Sequence, residues 1–160
     1  MKGPVTVVVG TDGSAAAACA MRWSADLVQA TGGEVVAVHA LGLLSHMPTN
    51  GSPANGEGDR RAAAPHTAAE HRTQIEAQLH RWCVPLQASG VAHRCFVSDG
   101  SPVLALLQAA TDAAADLIVV GRRGSGGFPG LLLGSTSHEL TAHAHLPVVV
   151  VPGPVEPPAR

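Results

Sequence analysis

Apolar positions along this chain fall into two kinds of block. Short continuous runs rich in valine alternate with longer stretches in which apolar residues recur every three or four positions. A continuous β-branched run suits a parallel strand buried on both faces, and the longer spacing suits an amphipathic helix. The first run, Val5 to Val9, lies between Pro4 and a turn at Gly10–Gly13. Ser14 then caps a helix to about Thr31, with Ala18, Met21, Ala25 and Val28 on one face and Gly32-Gly33 ending it. A second strand is predicted from Glu34 to about Leu41. A helix over His66 to Cys83 turns Ile75, Leu79 and Trp82 inward; Pro85 kinks or ends it, and Leu86 to Ser89 add a last turn. Val91 to Val97 mixes charged and apolar residues and is placed at a sheet edge. Asp99 or Ser101 caps the next helix, with Pro102 near its first position and Leu104, Leu107 and Ala110 or Thr111 inward. Asp116 to Val120, about Ser135 to His143, and Val148 to Val151 complete the series as strand, helix and strand.

Strict strand–helix alternation predicts an α/β fold: one doubly wound open parallel five-stranded sheet, Rossmann-like, with helices on both faces and right-handed crossovers. A chain of 160 residues suits one domain. Two stretches break the pattern. Residues 42–65 are rich in Gly, Pro, Asn, Ser and Ala and read as a flexible loop, either a solvated linker or a lid. Residues 153–160 read as a proline-rich tail.

Composition narrows the function classes. The aromatic residues are Trp23, Trp82, Phe96 and Phe128, so the core is built from Val, Leu, Ile and Ala. A formal net charge of −2 leaves no electrostatic footprint for nucleic acid, and few aromatics leave no stacking platform for single strands. Lys2 is the only lysine, which excludes a Walker-type phosphate loop and a Schiff-base lysine in the body of the chain. Cys19, Cys83 and Cys95 are widely spaced without a C-x-x-C pair, and are read as separate buried thiols in a reducing cytosol. Met1 to Pro4 runs straight into a strand and no apolar run reaches the roughly 18 residues of a membrane span, so a cytoplasmic protein without membrane contact is expected. His138, His143 and His145 do not share a helix face at i, i+4, and no metal cage of protein ligands is expected.

The chemistry concentrates after the fourth strand. Gly121-Arg122-Arg123-Gly124 is followed by nine residues and then Gly134-Ser135, where a helix begins. Glycines let a backbone approach a ligand closely. A helix N-terminus offers unpaired N–H groups and the positive end of its dipole. Together they make a phosphate cradle. In the plainer alternative this is a Gly-rich turn with Ser135 as an N-cap.

This spaced run resembles the nucleotide-binding signature of the universal stress protein family, in its ATP-binding branch. Val5 to Ser14 resembles that family's opening strand and first turn, and Val35 to Ala40 its second strand. Gly100-Ser101-Pro102 resembles its Gly-x-Pro helix entry, and Leu146 to Val151 its last strand. The resemblance implies strand order 3-2-1-4-5, a nucleotide-binding domain over residues 1–152, and a crevice where strands 1 and 4 diverge. There Asp12 meets a ribose hydroxyl, or merely caps the first helix. Thr11 and the backbone of Ala40 line an adenine floor, and Gly100 faces the mouth. Gly121, Gly124, Gly134, Ser135, Thr136 and Ser137 cradle phosphate. Arg122 and Arg123 neutralise its charge or point to solvent. The implied ligand is ATP, with Mg²⁺ or Mn²⁺ held by the phosphates.

The implied role is a nucleotide-dependent stress-response regulator with slow or no hydrolysis. It acts through a protein partner of unknown identity and forms a homodimer through Val148–Val151. The alternatives are a weak ATPase, a nucleotidyl transferase of related architecture, autophosphorylation at Ser135–Ser137, or an AMP- or cyclic AMP-binding protein. No nucleophile–base pair stands out, and no histidine or glutamate is expected in the crevice.

Overall fold

The computed structural model describes residues 3–42, 68–126 and 130–154. The predicted 42–65 loop, the start of the predicted His66 helix and the end of the predicted tail therefore lie almost wholly outside the described residues. Five parallel strands form one sheet: β1 (Val5–Gly10), β2 (Gly33–Ala40), β3 (Ala92–Ser98), β4 (Leu117–Gly121) and β5 (Val148–Val151). Their spatial order is β3-β2-β1-β4-β5, as expected, with β3 and β5 at the edges. Among the described residues five helices connect them: α1 (Ala15–Thr31), α2 (Ala68–Trp82), α3 (Val84–Ser89), α4 (Pro102–Asp112) and α5 (Ser135–His143).

The pleat of the central strands divides the core in two. Val7, Val9, Val35, Ala37 and Val119 pack with Met21 of α1, Leu79 of α2 and Leu86 of α3. Val8, Val36, Val38, Ile118 and Val120 pack on the other face with Leu106 of α4 and Leu140 of α5. Successive strand side chains point to opposite faces, and every one of these is buried, which is why the strands read as continuous apolar runs.

The expected break at Pro85 is present: α2 ends at Trp82 and α3 begins at Val84, with Pro85 in its first turn, where a proline fits. Two details differ from expectation. The inward face of α4 carries Val103, Leu106, Ala109 and Ala110, whereas Leu104 is exposed and Leu107 and Thr111 lie at the border or outside. The second concerns the thiols. Cys83 and Cys95 form a disulfide between the α2–α3 junction and β3, and only Cys19 is free among the described cysteines. Twelve residues of sequence separation concealed a contact created by folding α2 and α3 back along the edge strand.

Candidate functional site

Strand winding reverses between β1 and β4, and a cavity of about 360 Å³ opens at their C-terminal ends. Crevices outside the carboxyl ends of such strands are where ligands bind in doubly wound sheets. The volume lies in the range of small-molecule sites. Its wall takes residues from the turn after β1, the end of β2, the start of α4, the loop after β4 and the first turn of α5.

Of the expected site residues, Thr11, Asp12, Ala40, Gly121, Arg122, Arg123, Gly124, Gly134, Ser135, Thr136 and Ser137 all line this one cavity. Gly100 is not in the lining. It holds a left-handed φ of 87° and its carbonyl accepts from the Gly42 N–H at 3.1 Å, while Pro102 and Leu106 form that wall instead. His39 is in the lining, contrary to the expectation of a crevice without histidine. Its Nδ1 lies 2.7 Å from the Thr11 carbonyl oxygen. A carbonyl only accepts, so Nδ1 carries the proton there. The place of His39, one residue from the C-terminal end of β2 and next to Ala40, was the signal available for it.

The floor is fixed by backbone bonds. Thr11 donates its N–H to the Val38 carbonyl at 2.9 Å, tying the first turn to β2. Asp12 then reaches both ways. Its carboxylate accepts from the Ser14 N–H at 3.0 Å and from the Ser125 N–H at 2.7 Å. Burial pushes its carboxyl upward, but the hydrogen bonds from Ser14 and Ser125 outweigh this and hold it below the usual value. Asp12 thus both caps the approach to α1 and clasps the Gly-rich loop.

The glycines after β4 have internal causes. A Cβ on Gly121 would come within 2.8 Å of the Ala16 backbone, so this glycine lets α1 cross the end of β4. At Gly124 a Cβ would collide with the Asp12 carboxylate. At Gly134 it would press on the Arg123 Cα at 3.3 Å, where the loop crosses the entry of α5. The glycines therefore shape the cradle by permitting the chain to cross itself.

Gly134 is the N-cap of α5 and supplies no side-chain bond, so Ser135 is the first helical residue and not the cap. The first intrahelical donor is His138, whose N–H reaches the Gly134 carbonyl at 2.9 Å. The amides of residues 135–137 belong to the turn that has no intrahelical acceptor. The Ser137 hydroxyl is committed elsewhere: it donates to the carbonyls of Arg122 at 2.9 Å and Gly134 at 3.1 Å and is buried. Within the expected cradle, Ser137 therefore has no free hydroxyl to offer a phosphate. The Gly134 N–H donates to the Arg122 carbonyl at 2.8 Å, so the loop ends are closed upon each other. Arg122 Nε is buried and without a hydrogen-bond partner among the described residues. The site thus combines unused donors, a cation and an apolar wall, a set suited to an anion bearing a flat apolar group.

A model of the Universal stress protein family matches residues 5–152. The chain belongs to the universal stress protein family. A universal stress protein of Mycobacterium tuberculosis is 32% identical over 154 residues, covering 94% of this chain and 45% of its own length. One from Methanocaldococcus jannaschii is 27% identical, covering 92% of this chain and 82% of its own. The chain covers 45–50% of the length of the mycobacterial relatives it matches. Among solved structures, a universal stress protein in complex with cAMP superposes with a TM-score of 0.67 at 24% identity, covering 94% of this chain and 98% of the other. The universal stress protein of Archaeoglobus fulgidus in complex with dAMP gives 0.61 at 17% identity, covering 94% and 98%. These likenesses establish the shared fold. Among the described residues no helix is long and apolar enough to cross a membrane.

Proposed function

We propose that this universal stress protein binds ATP in the β1/β4 cavity and acts as a nucleotide-dependent regulatory module. The observation that carries the reading is the unused first turn of α5 facing the same cavity as Arg122 and Arg123. Helix amides and guanidinium groups are both donors to phosphate oxygens. Gly124, Gly134, Ser135 and Thr136 hold the phosphates, and Asp12 offers the ribose an acceptor. Thr11, His39 and Ala40 face the base, with Leu106 on the apolar side. Mg²⁺ or Mn²⁺ enters with the phosphates, which supply its oxygen ligands. That the solved relatives named above hold cAMP and dAMP supports an adenine nucleotide and favours a second reading, a monophosphate ligand. Two arginines beside a free helix turn favour more than one phosphate.

Residues 1–152 form the binding unit in this reading. A homodimer pairs through β5, whose Val148–Val151 row lies at the sheet edge, where unpaired strand groups invite a second strand. The regulated partner is a protein in the cytoplasm. Gel filtration at micromolar concentration tests the dimer. The nucleotide is tested by denaturing the purified protein, identifying any released nucleotide by mass spectrometry, and titrating Mg-ATP, AMP and cyclic AMP by calorimetry. Tightest binding of Mg-ATP supports the proposal; tightest binding of a monophosphate selects the second reading; no heat with any of the three refutes both.

A further inference from the structure

From the disulfide and its neighbour Trp82, we infer that Cys83 and Cys95 are a peroxide-oxidisable thiol pair whose state sets the order of the cavity floor. The functional consequence rests on the nucleotide reading above. Cys83 is fully buried in the core formed with α1, while Cys95 is half-buried and opens on a surface recess of about 240 Å³ that His80 and Glu76 also line. Cys95 is therefore the partly accessible member of the pair, and Cys83 is held behind it. Disulfides in reducing compartments are characteristically transient and redox-sensing.

The chain of contact to the cavity is short. Trp82 directly precedes Cys83 and ends α2. Its ring fills the space in front of Gly13, where a Cβ would lie 2.5 Å from Trp82 Cε2. On its other side it meets the His39 ring edge-on, with centroids 5.1 Å apart. His39 in turn bonds the Thr11 carbonyl. Trp82 thus backs the Thr11–Gly13 turn and His39 from outside the cavity. With the disulfide closed, the α2–α3 junction is tethered to β3 and the ring is held in place. With it open, that junction keeps only its packing and backbone bonds.

The chemistry balances with a peroxide as oxidant. The Cys95 thiolate attacks one peroxide oxygen; an S–O bond forms, the O–O bond breaks, and hydroxide leaves and takes a proton. The Cys83 thiol then gives up its proton and its sulfur attacks the sulfenic sulfur; the S–S bond forms, the S–O bond breaks, and the leaving hydroxide takes that proton as water. Two electrons pass from the thiols to the peroxide. A dithiol reverses the step by exchange through a mixed disulfide.

The test compares the full chain reduced with dithiothreitol and then oxidised with hydrogen peroxide. Peptide mapping should show a Cys83–Cys95 cross-link two mass units lighter than the dithiol. Hydrogen exchange at residues 10–14 should be slower in the oxidised form. The emission of Trp82, isolated by Trp23→Phe, should shift between forms. Mg-ATP affinity by calorimetry should be about fivefold or more tighter in the oxidised form, the lower end of usual coupling between sites. Cys95→Ser should abolish all four differences, and because the wild-type forms are compared directly the test does not depend on that variant folding. A missing cross-link, or a cross-link without change in exchange and emission, overturns the inference. If neither form takes up Mg-ATP, the nucleotide reading fails, while exchange and Trp82 emission still decide whether the thiol pair orders the floor.

Discussion

Replacing Ser135 by aspartate separates the stability of α5 from its use as an anion site. Ser135 is the exposed first residue of the helix and lines the cavity, and its hydroxyl is not the cap. A carboxylate at the start of a helix meets the positive end of the dipole and should stabilise the fold by about 0.3–1 kcal/mol. A bound phosphate held by the same turn would sit roughly 5 Å from that carboxylate, where two unit charges repel by about 3 kcal/mol at an effective dielectric of 20, less after salt screening. The loss in affinity should then be about 1–3 kcal/mol, roughly fivefold to 150-fold in Kd. The assay is calorimetric titration of Mg-ATP against wild type, Ser135→Asp and the neutral control Ser135→Asn, alongside thermal melts without ligand. The expected result is an unchanged or raised Tm in Ser135→Asp with weakened binding, and near-wild-type binding in Ser135→Asn. Full affinity in a well-folded Ser135→Asp would refute the placement of phosphate at α5.

Four further tests probe the same architecture. Arg122→Met removes a buried guanidinium nitrogen that lacks a partner, so the unliganded protein should gain up to about 1 kcal/mol in urea denaturation while Mg-ATP affinity falls; equal binding would remove Arg122 from the site. Because hydrogen bonds hold the Asp12 carboxyl below its usual value in the folded state, its contribution is present above the unfolded pKa and lost as pH falls through the folded one. Asp12→Asn should therefore lower Tm at pH 7, with the gap closing below about pH 4; a gap independent of pH would contradict the charge-based account. Gly13→Ala and Gly32→Ala both force a side chain to positive φ, but only the first meets an obstacle, the Trp82 ring, so it should cost about 2 kcal/mol more by urea titration; equal costs would mean that Trp82 yields freely. Leu106→Ala should cost about 2–5 kcal/mol, whereas Leu104→Ala, on the exposed face, should stay within about 0.5 kcal/mol, and the reverse order would return α4 to the expected phase.

The strand series was legible because each central strand is buried on both faces and so reads as a continuous apolar run, as Val7 to Val9 and Ile118 to Val120 do. Strand order came with the family resemblance, which four separate matches carried. The phase of α4 was harder. From Val103 to Ala110 only Gln108 is polar, so several apolar stripes compete and spacing alone selects none. Leu104 stands four residues before Gln108 and shares its outward face, a clue outweighed by the size of leucine. The Cys83–Cys95 contact and the presence of His39 beside Trp82 depend on how α2 and α3 fold back along the sheet, and no local periodicity encodes that packing.

The glycine signature was legible for a reason that differs from the one first given. Close approach of a ligand was the expected use of Gly121, Gly124 and Gly134, yet each one already accommodates an atom of this chain: the Ala16 backbone, the Asp12 carboxylate and the Arg123 Cα. Their spacing therefore reports how β4, its loop and α5 cross, and a chain could keep those crossings without keeping a ligand. What speaks for a ligand is the set of groups that the crossings leave over. Ser137 spends its hydroxyl on two carbonyls, and the Gly134 N–H closes the loop on Arg122. The first-turn amides and the buried Arg122 Nε lack such internal acceptors, and Arg122, Ser135, Thr136 and Ser137 all line one cavity. Arg122 Nε is the buried one, and a buried donor without an acceptor is costly unless something negative completes it. Such leftover donors at one switch point, with an apolar wall opposite, support the proposed anionic ligand more than the glycines that frame them do.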